Sequence, residues 1–196
     1  DGTLGADLHI DLKDVTLAPA AFSLSGSDIK IISGSTTAPT VGNDLFIGTA
    51  GNDNLSGGAG NDILQGAGGD DVLNGGADVD ILTGGLGLDN LIGGSGADTF
   101  VYLGLTDSPR GVGRDIITDF STVEGDKMDV SAIDANPVLA GDQAFTLVAS
   151  FTGAAGQLVF DAASHVAQFD QNGDGFADLE IQLTGVASVA ASDFVL

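Results

Sequence analysis

Cysteine and tryptophan are both absent from this 196-residue chain, and only 5 Lys and Arg stand against 28 Asp and Glu, giving a net charge of −23. Without thiols, disulfides, thiolate nucleophiles and cysteine-ligated zinc are all excluded. So few bases leave no surface for a phosphate backbone, so no nucleic-acid partner is expected; anionic membranes are repelled for the same reason. Apolar runs near the roughly 20 residues of a membrane span are missing too, so no membrane insertion is expected. Glutamate is nearly absent, since 26 of the acids are Asp and only Glu124 and Glu180 are Glu. Asp favours turns and hard-cation sites, and with 31 glycines in the chain a helical bundle is excluded. The two histidines, His9 and His165, stand apart, so neither a zinc protease site nor a Ser-His-acid triad can be assembled. The chain reads as a non-enzyme whose natural partners are cations. With 43% apolar residues and a mean hydropathy of +0.28, it should fold once its negative charge is offset.

What is present is a repeat. Asp recurs every nine residues at Asp44, Asp53, Asp62, Asp71, Asp80, Asp89 and Asp98. Two residues after each stands a large apolar side chain: Phe46, Leu55, Leu64, Leu73, Leu82, Leu91 or Phe100. Two residues before each stands Gly42, Gly51, Gly60, Gly69, Asp78, Gly87 or Gly96. Residues 42–100 hold 17 glycines and nine Asp with no Lys or Arg. A unit such as 57–65 divides into a three-residue strand, Ile63 to Gln65, and a six-residue glycine-rich turn. Two units close one coil of 18 residues, so alternate units stack on opposite walls of a parallel β-roll with the apolar column inside.

Stacking brings the Asp columns to roughly the 4.8 Å strand spacing, where bare carboxylates repel. A hard divalent cation between coils reverses that repulsion. Ca2+ suits a carbonyl-rich turn better than Mg2+, which demands a tighter octahedron. The alternative, a run of solvated turns without metal, has no need of a nine-residue phase.

The columns match G-G-x-G-x-D-x-U-x, and the chain resembles the RTX, or hemolysin-type calcium-binding repeat, proteins on these residues. That resemblance implies about five or more Ca2+ ions, held by the seven Asp carboxylates and by the carbonyls of Gly51, Gly58, Gly60, Gly69, Gly76, Gly85, Gly87, Gly94 and Gly96. Pairing each Asp with the one 18 residues on gives five sites. Thr49 and Ala67 replace a turn glycine, and Asp78 replaces another, which puts the turn 75–80 in question. Asp70 and Asp78 are further candidate ligands.

Outside the repeat, Leu45, Ile63 and Ile81 form an apolar outer face. The segment 1–41, with apolar Ile10, Leu12, Val15, Leu17, Phe22, Leu24, Ile29 and Ile31, is expected to cover it as short strands or to be the tail of an upstream domain. Residues 101–196 are expected to form an antiparallel, β-sandwich-like cap, with strands near Asp115 to Phe120, Gln157 to Phe160, Val166 to Phe169 and Leu179 to Leu183. The runs Asp98 to Tyr102, Asp115 to Phe120 and Gly125 to Ser131 resemble the C-terminal module of serralysin-type secreted metalloproteases. Asp170, Asn172, Asp174 and Asp178 are spaced like the first part of an EF-hand loop but lack its closing Glu, leaving a Ca2+ site or an Asx-rich hairpin. The ending Asp193-Phe194-Val195-Leu196 is similar to the type I secretion signal of serralysin-like proteins, or is an ordinary closing strand.

The whole is an all-β chain: segment 1–41, a β-roll over 42–100 and a cap over 101–196. The resemblances imply a secreted, extracellular Ca2+-binding module that folds outside the cell. Its implied partners are an upstream passenger and the ABC transporter of a type I secretion system. A polysaccharide-binding module like the R-modules of alginate epimerases, or a surface-layer or adhesin segment, are the alternatives. For a polyuronate, Lys13, Lys30, Arg110, Arg114 and Lys127 are few and scattered.

Overall fold

The structure, a computed structural model, describes residues Ile29–Ile31 and 40–196. Its first strands are β1 (Ile29–Ile31), β2 (Thr40–Val41) and β3 (Leu45–Ile47). Five six-residue strands follow: β4 (Asn54–Ala59), β5 (Ile63–Gly68), β6 (Val72–Ala77), β7 (Ile81–Leu86) and β8 (Asn90–Ser95). Beyond them come β9 (Thr99–Val101), β10 (Asp115–Ile117), β11 (Lys127–Asp129) and β12 (Thr146–Leu147). The chain closes with β13 (Gln157–Asp161), β14 (Val166–Asp170), β15 (Leu179–Leu183) and β16 (Phe194–Val195).

The strands form two sheets, β1-β3-β5-β7-β9-β11-β16 and β12-β13-β14-β15-β10-β8-β6-β4-β2, and from β1 to β11 the odd-numbered strands make one wall and the even-numbered strands the other. This is the β-roll: successive repeats alternate between walls, and each pairs in parallel with the repeat 18 residues on, as in Leu64 with Leu82 and Leu55 with Leu73. One inner column runs Phe46, Leu64, Leu82, Phe100 and Met128, all fully buried. The other runs Leu55, Leu73, Leu91, Ile117 and Leu183, likewise buried. Each column is the apolar residue two places after a repeat Asp, carried on past the repeats.

The strands are longer than the three residues expected. β5, for example, runs through Gly66 to Gly68, because Ala67 and Gly68 pair with Gly85 and Leu86 of the next coil. A buried coil must satisfy its backbone N–H and C=O groups, and the neighbouring coil is the partner at hand.

Phe100 ends the nine-residue period but neither sheet. β10 adds in parallel to β8, and β11 adds in parallel to β9, so the roll gains one further coil with long connections. The antiparallel part of the cap is the meander β13-β14-β15, fused to the roll through the parallel β10–β15 pair. Phe145, Phe169 and Phe194 pack edge to face beneath it, with ring centroids 5.2 and 6.1 Å apart. The C-terminal strand β16 pairs with β11 and closes the other sheet.

On the outer face, Leu45 and Ile63 are buried and Ile81 is half-buried. β1 pairs with β3, alongside Leu45 to Ile47. The other residues named as a cover, Ile10 to Leu24, lie outside the described residues, as does His9.

Candidate functional site

The repeat Asp side chains sit between coils, all seven buried. Five of them, from Asp62 to Asp98, accept through one oxygen the backbone N–H of the Asp one coil earlier. Asp44 donates to Asp62 Oδ1 at 2.7 Å, and Asp53, Asp62 and Asp71 donate to Asp71, Asp80 and Asp89 at 2.8 Å. Asp80 donates to Asp98 at 2.9 Å. These are the five pairs expected at 18-residue spacing. Two further rungs follow out of period: Asp89 donates to Asp115 at 2.9 Å and Asp98 to Asp126 at 3.0 Å. Both were missed because long connections, 26 and 28 residues in place of 18, break the phase. Their mark in the sequence is the surviving triplet Asp-x-apolar, Asp115-Ile116-Ile117 and Asp126-Lys127-Met128.

The second oxygen is what sets the site apart. Oδ2 of Asp71, Asp80, Asp89, Asp98 and Asp115 is buried with no hydrogen-bond partner. A buried, unpaired carboxylate oxygen costs several kcal/mol unless it meets a charge. Oδ2 of Asp71, Asp80, Asp89 and Asp98 lies against the first glycine of its own turn, and at Gly66 and Gly75 a carbonyl of the next coil closes on the same place. A Cβ on Gly75 would strike Asp80 Oδ2 and lie 2.7 Å from the Gly93 carbonyl oxygen; Gly66, Gly84 and Gly93 stand in the same relation to Asp71, Asp89 and Asp98. These first glycines were not among the expected site residues. They are required by close approach, not by backbone conformation.

Burial, first, and like-charged neighbours, second, push these acids up from an ordinary 3.8: Asp71 to about 7, Asp80 and Asp115 to about 8, Asp89 and Asp98 to about 6. The backbone N–H from the preceding coil opposes the shift without cancelling it. Burial also raises Asp107, Asp126 and Tyr102; the Tyr102 phenol lies against Asp115 and Asp89. The donors are all oxygen, which suits a hard cation. Among the described residues no three His, Asp or Glu side chains converge on one point, so a cation here would draw most of its oxygens from the backbone.

The glycines expected to ligate occupy left-handed turns. Gly58, Gly76, Gly85 and Gly94, and also Ala67, have φ between 78° and 118°; Gly60, Gly69, Gly87, Gly96 and Asp78 lie between 79° and 144°. Asp78 therefore preserves its turn, since Asp tolerates this region, and Asp80 beyond it is fully buried. Gly51 departs from the expectation: it and Thr49 are outside the left-handed region. Asp70 and Asp78 are exposed and face neither column; Asp70 Oδ1 accepts the Leu88 N–H at 3.0 Å and Asp78 Oδ2 the Gly60 N–H at 3.2 Å. A second ladder was also missed, in which an Asn before a repeat Asp reaches forward: Asn43 Oδ1 accepts from Asn61, Asn61 from Val79, and Asn52 from Asp70.

The loop 170–178 spends its oxygens on its own amides. Asp170 accepts from Gly173 and Gly175, Asp178 from Gln171, Asn172 from Asp174, and Asp174 from Phe176. These Asx turns close the hairpin between β14 and β15.

The all-β, mostly parallel architecture recurs in a solved structure. The solution structure of the AlgE6R2 subunit from the Azotobacter vinelandii mannuronan C5-epimerase is 30% identical, covers 81% of this chain and 92% of that one, and superposes with a TM-score of 0.52. The AlgE6R3 subunit of the same epimerase is 29% identical over 83% of this chain and 82% of its own, with a TM-score of 0.38. No curated protein matches the chain in sequence. The family described as Peptidase M10 serralysin C terminal matches residues 10–196. With its repeats, its two-walled roll and its closing strands inside that match, the chain belongs to the serralysin C-terminal family, an RTX-like module.

Proposed function

We propose that this chain is a Ca2+-dependent folding module of a secreted protein, non-catalytic in itself and joined to a passenger on its N-terminal side. The row of buried Oδ2 atoms on Asp71, Asp80, Asp89, Asp98 and Asp115, each without a partner, carries this reading. These carboxylates and the carbonyls of the turns beside them would hold the ions. Bound Ca2+ supplies the positive charge that lets the column be buried ionised. At a hundredfold excess over Kd each site adds about 2.7 kcal/mol, so five add roughly 13 kcal/mol, as much as a typical domain's whole stability. The chain is then unfolded where Ca2+ is scarce, passes a type I channel in that state, and folds where Ca2+ is abundant. Its final residues would carry the export signal, in keeping with the family's C-terminal position. The test is a circular-dichroism titration with Ca2+, then chelator, with Mg2+ as control. A β signal that appears with Ca2+ alone and vanishes in chelator is expected; the same signal in chelator at neutral pH overturns the reading.

The likeness to a mannuronan epimerase subunit supports a second reading, polysaccharide binding. For a polyuronate the bases are poorly disposed: Arg114 is paired with Glu180 at 2.5 Å, Lys127 donates to the Ser192 carbonyl at 2.7 Å, and Arg110 lies over the Phe176 ring. Retention on an alginate column at physiological salt would favour it.

A further inference from the structure

The first described turn of the even-numbered wall is built differently from those that follow. Thr49 stands in the column of Gly58, Ala67, Gly76, Gly85 and Gly94, and Gly51 in the column of Gly60, Gly69, Asp78, Gly87 and Gly96. All ten of those residues are left-handed, whereas Thr49 and Gly51 are not. Ala67 shows that a side chain alone does not cause this. A β-branched residue does, because its Cβ substituents make the left-handed region a genuine outlier.

With the turn in this other form, Thr49 points both its donors at Asp53. Its backbone N–H reaches Asp53 Oδ2 at 2.6 Å and its hydroxyl reaches the same oxygen at 3.0 Å; the Gly51 N–H in turn donates to the Thr49 hydroxyl at 3.2 Å. The oxygen that is bare on Asp71, Asp80, Asp89 and Asp98 is thus doubly hydrogen-bonded on Asp53. The cradle itself is retained: a Cβ on Gly48 would lie 2.8 Å from Asp53 Oδ2 and 2.5 Å from the Gly66 carbonyl. Thr49 has filled with two N–H and O–H protons the place that a cation would take in the other turns.

We infer that Thr49 closes the turn 48–53 to cations, so that on this wall occupation begins at Asp71 and the first coil is held by hydrogen bonds instead of metal. This rests on the Ca2+ binding proposed for the other turns. A coil that needs no ion gives the roll a preformed end on which the metal-dependent coils can stack, each gaining a partner already in place.

The experiment counts ions by equilibrium dialysis of the whole chain with Ca2+, followed by atomic emission. T49G removes the hydroxyl donor to Asp53 Oδ2 and lets the turn take the left-handed form of its neighbours, and is expected to bind one more ion per chain than the unaltered protein. T49A serves if T49G does not fold, since Ala67 takes the left-handed form in the same column. D53N keeps an acceptor for Thr49 and is expected to leave the count unchanged, while D80N lowers it by one. An unchanged count in the Thr49 variants, or a count one lower in D53N, overturns the inference while leaving the proposed function intact. No bound Ca2+ in the unaltered chain overturns both.

Discussion

The backbone N–H of Asp80 donates to Oδ1 of Asp98 at 2.9 Å, while Oδ2 of the same Asp98 is buried with no partner. One oxygen thus joins two coils without metal, and the other asks for a charge. Repeated along both edges, this division makes the roll a structure whose stability depends on what neutralises the second oxygen.

Protons are one such neutraliser. Asp71, Asp80, Asp89, Asp98 and Asp115 have folded-state pKa values of about 6 to 8, above the ordinary 3.8, so the metal-free roll binds more protons than the unfolded chain. The stability these groups contribute is complete below about pH 4 and lost as pH rises through 6 to 8. In chelator the β signal in circular dichroism should therefore return as pH falls from about 8 to 5. With Ca2+ present the dependence should reverse, since ligands must be ionised to bind. The two curves should converge at low pH, where protons displace the metal, and separate as pH rises.

Replacing Asp80 by Asn fixes a neutral side chain of the same shape. In chelator at pH 8, D80N should be more stable than the unaltered chain. In saturating Ca2+ it should lose one site, about 2.7 kcal/mol at a hundredfold excess over Kd, or a melting temperature lower by about 5 to 10 °C. Denaturant midpoints under both conditions check the change of sign.

Gly75 gives a steric test of the cradle. Alanine there strikes Asp80 Oδ2 and the Gly93 carbonyl, and G75A should cost about 1–3 kcal/mol in Ca2+. Gly113, where the nearest atom to an added Cβ is Pro109 Cγ at 3.5 Å, is the control, and G113A should be neutral in the same melt.

The two walls, the inner columns and the Asp ladder were legible because each is a side-chain column repeating at nine residues, and a period survives without knowledge of tertiary contacts. The rungs at Asp115 and Asp126 were not, since their partners Asp89 and Asp98 lie across connections of irregular length. Strand length was under-read for another reason: Gly66 to Gly68 carries no strand-forming side chains, and only the next coil's backbone makes it a strand. Thr49 and Ala67 are alike in the sequence as departures from glycine. Which one rebuilds its turn depends on β-branching, visible only once φ is known. For Asp170 to Asp178, spacing shows where oxygens fall along the chain but not that they turn back onto their own amides.

The tail allows a test that separates the proposed export signal from folding. Phe194 pairs with Met128, and the Val195 carbonyl accepts the Val130 N–H at 3.0 Å, so β16 is the edge strand of its sheet, added beyond the last Asp rung at Asp126. Deleting residues 193–196 should abolish export through a type I channel and leave Ca2+ stoichiometry unchanged. Export of the shortened chain at the normal level would refute the signal.

The most direct measurement is a crystal structure grown in excess Ca2+, with anomalous differences recorded at a wavelength where calcium scatters. Peaks beside the second carboxylate oxygens of Asp71, Asp80, Asp89 and Asp98, between neighbouring coils, are the predicted result. Ordered water in those places, with no anomalous signal, would contradict it.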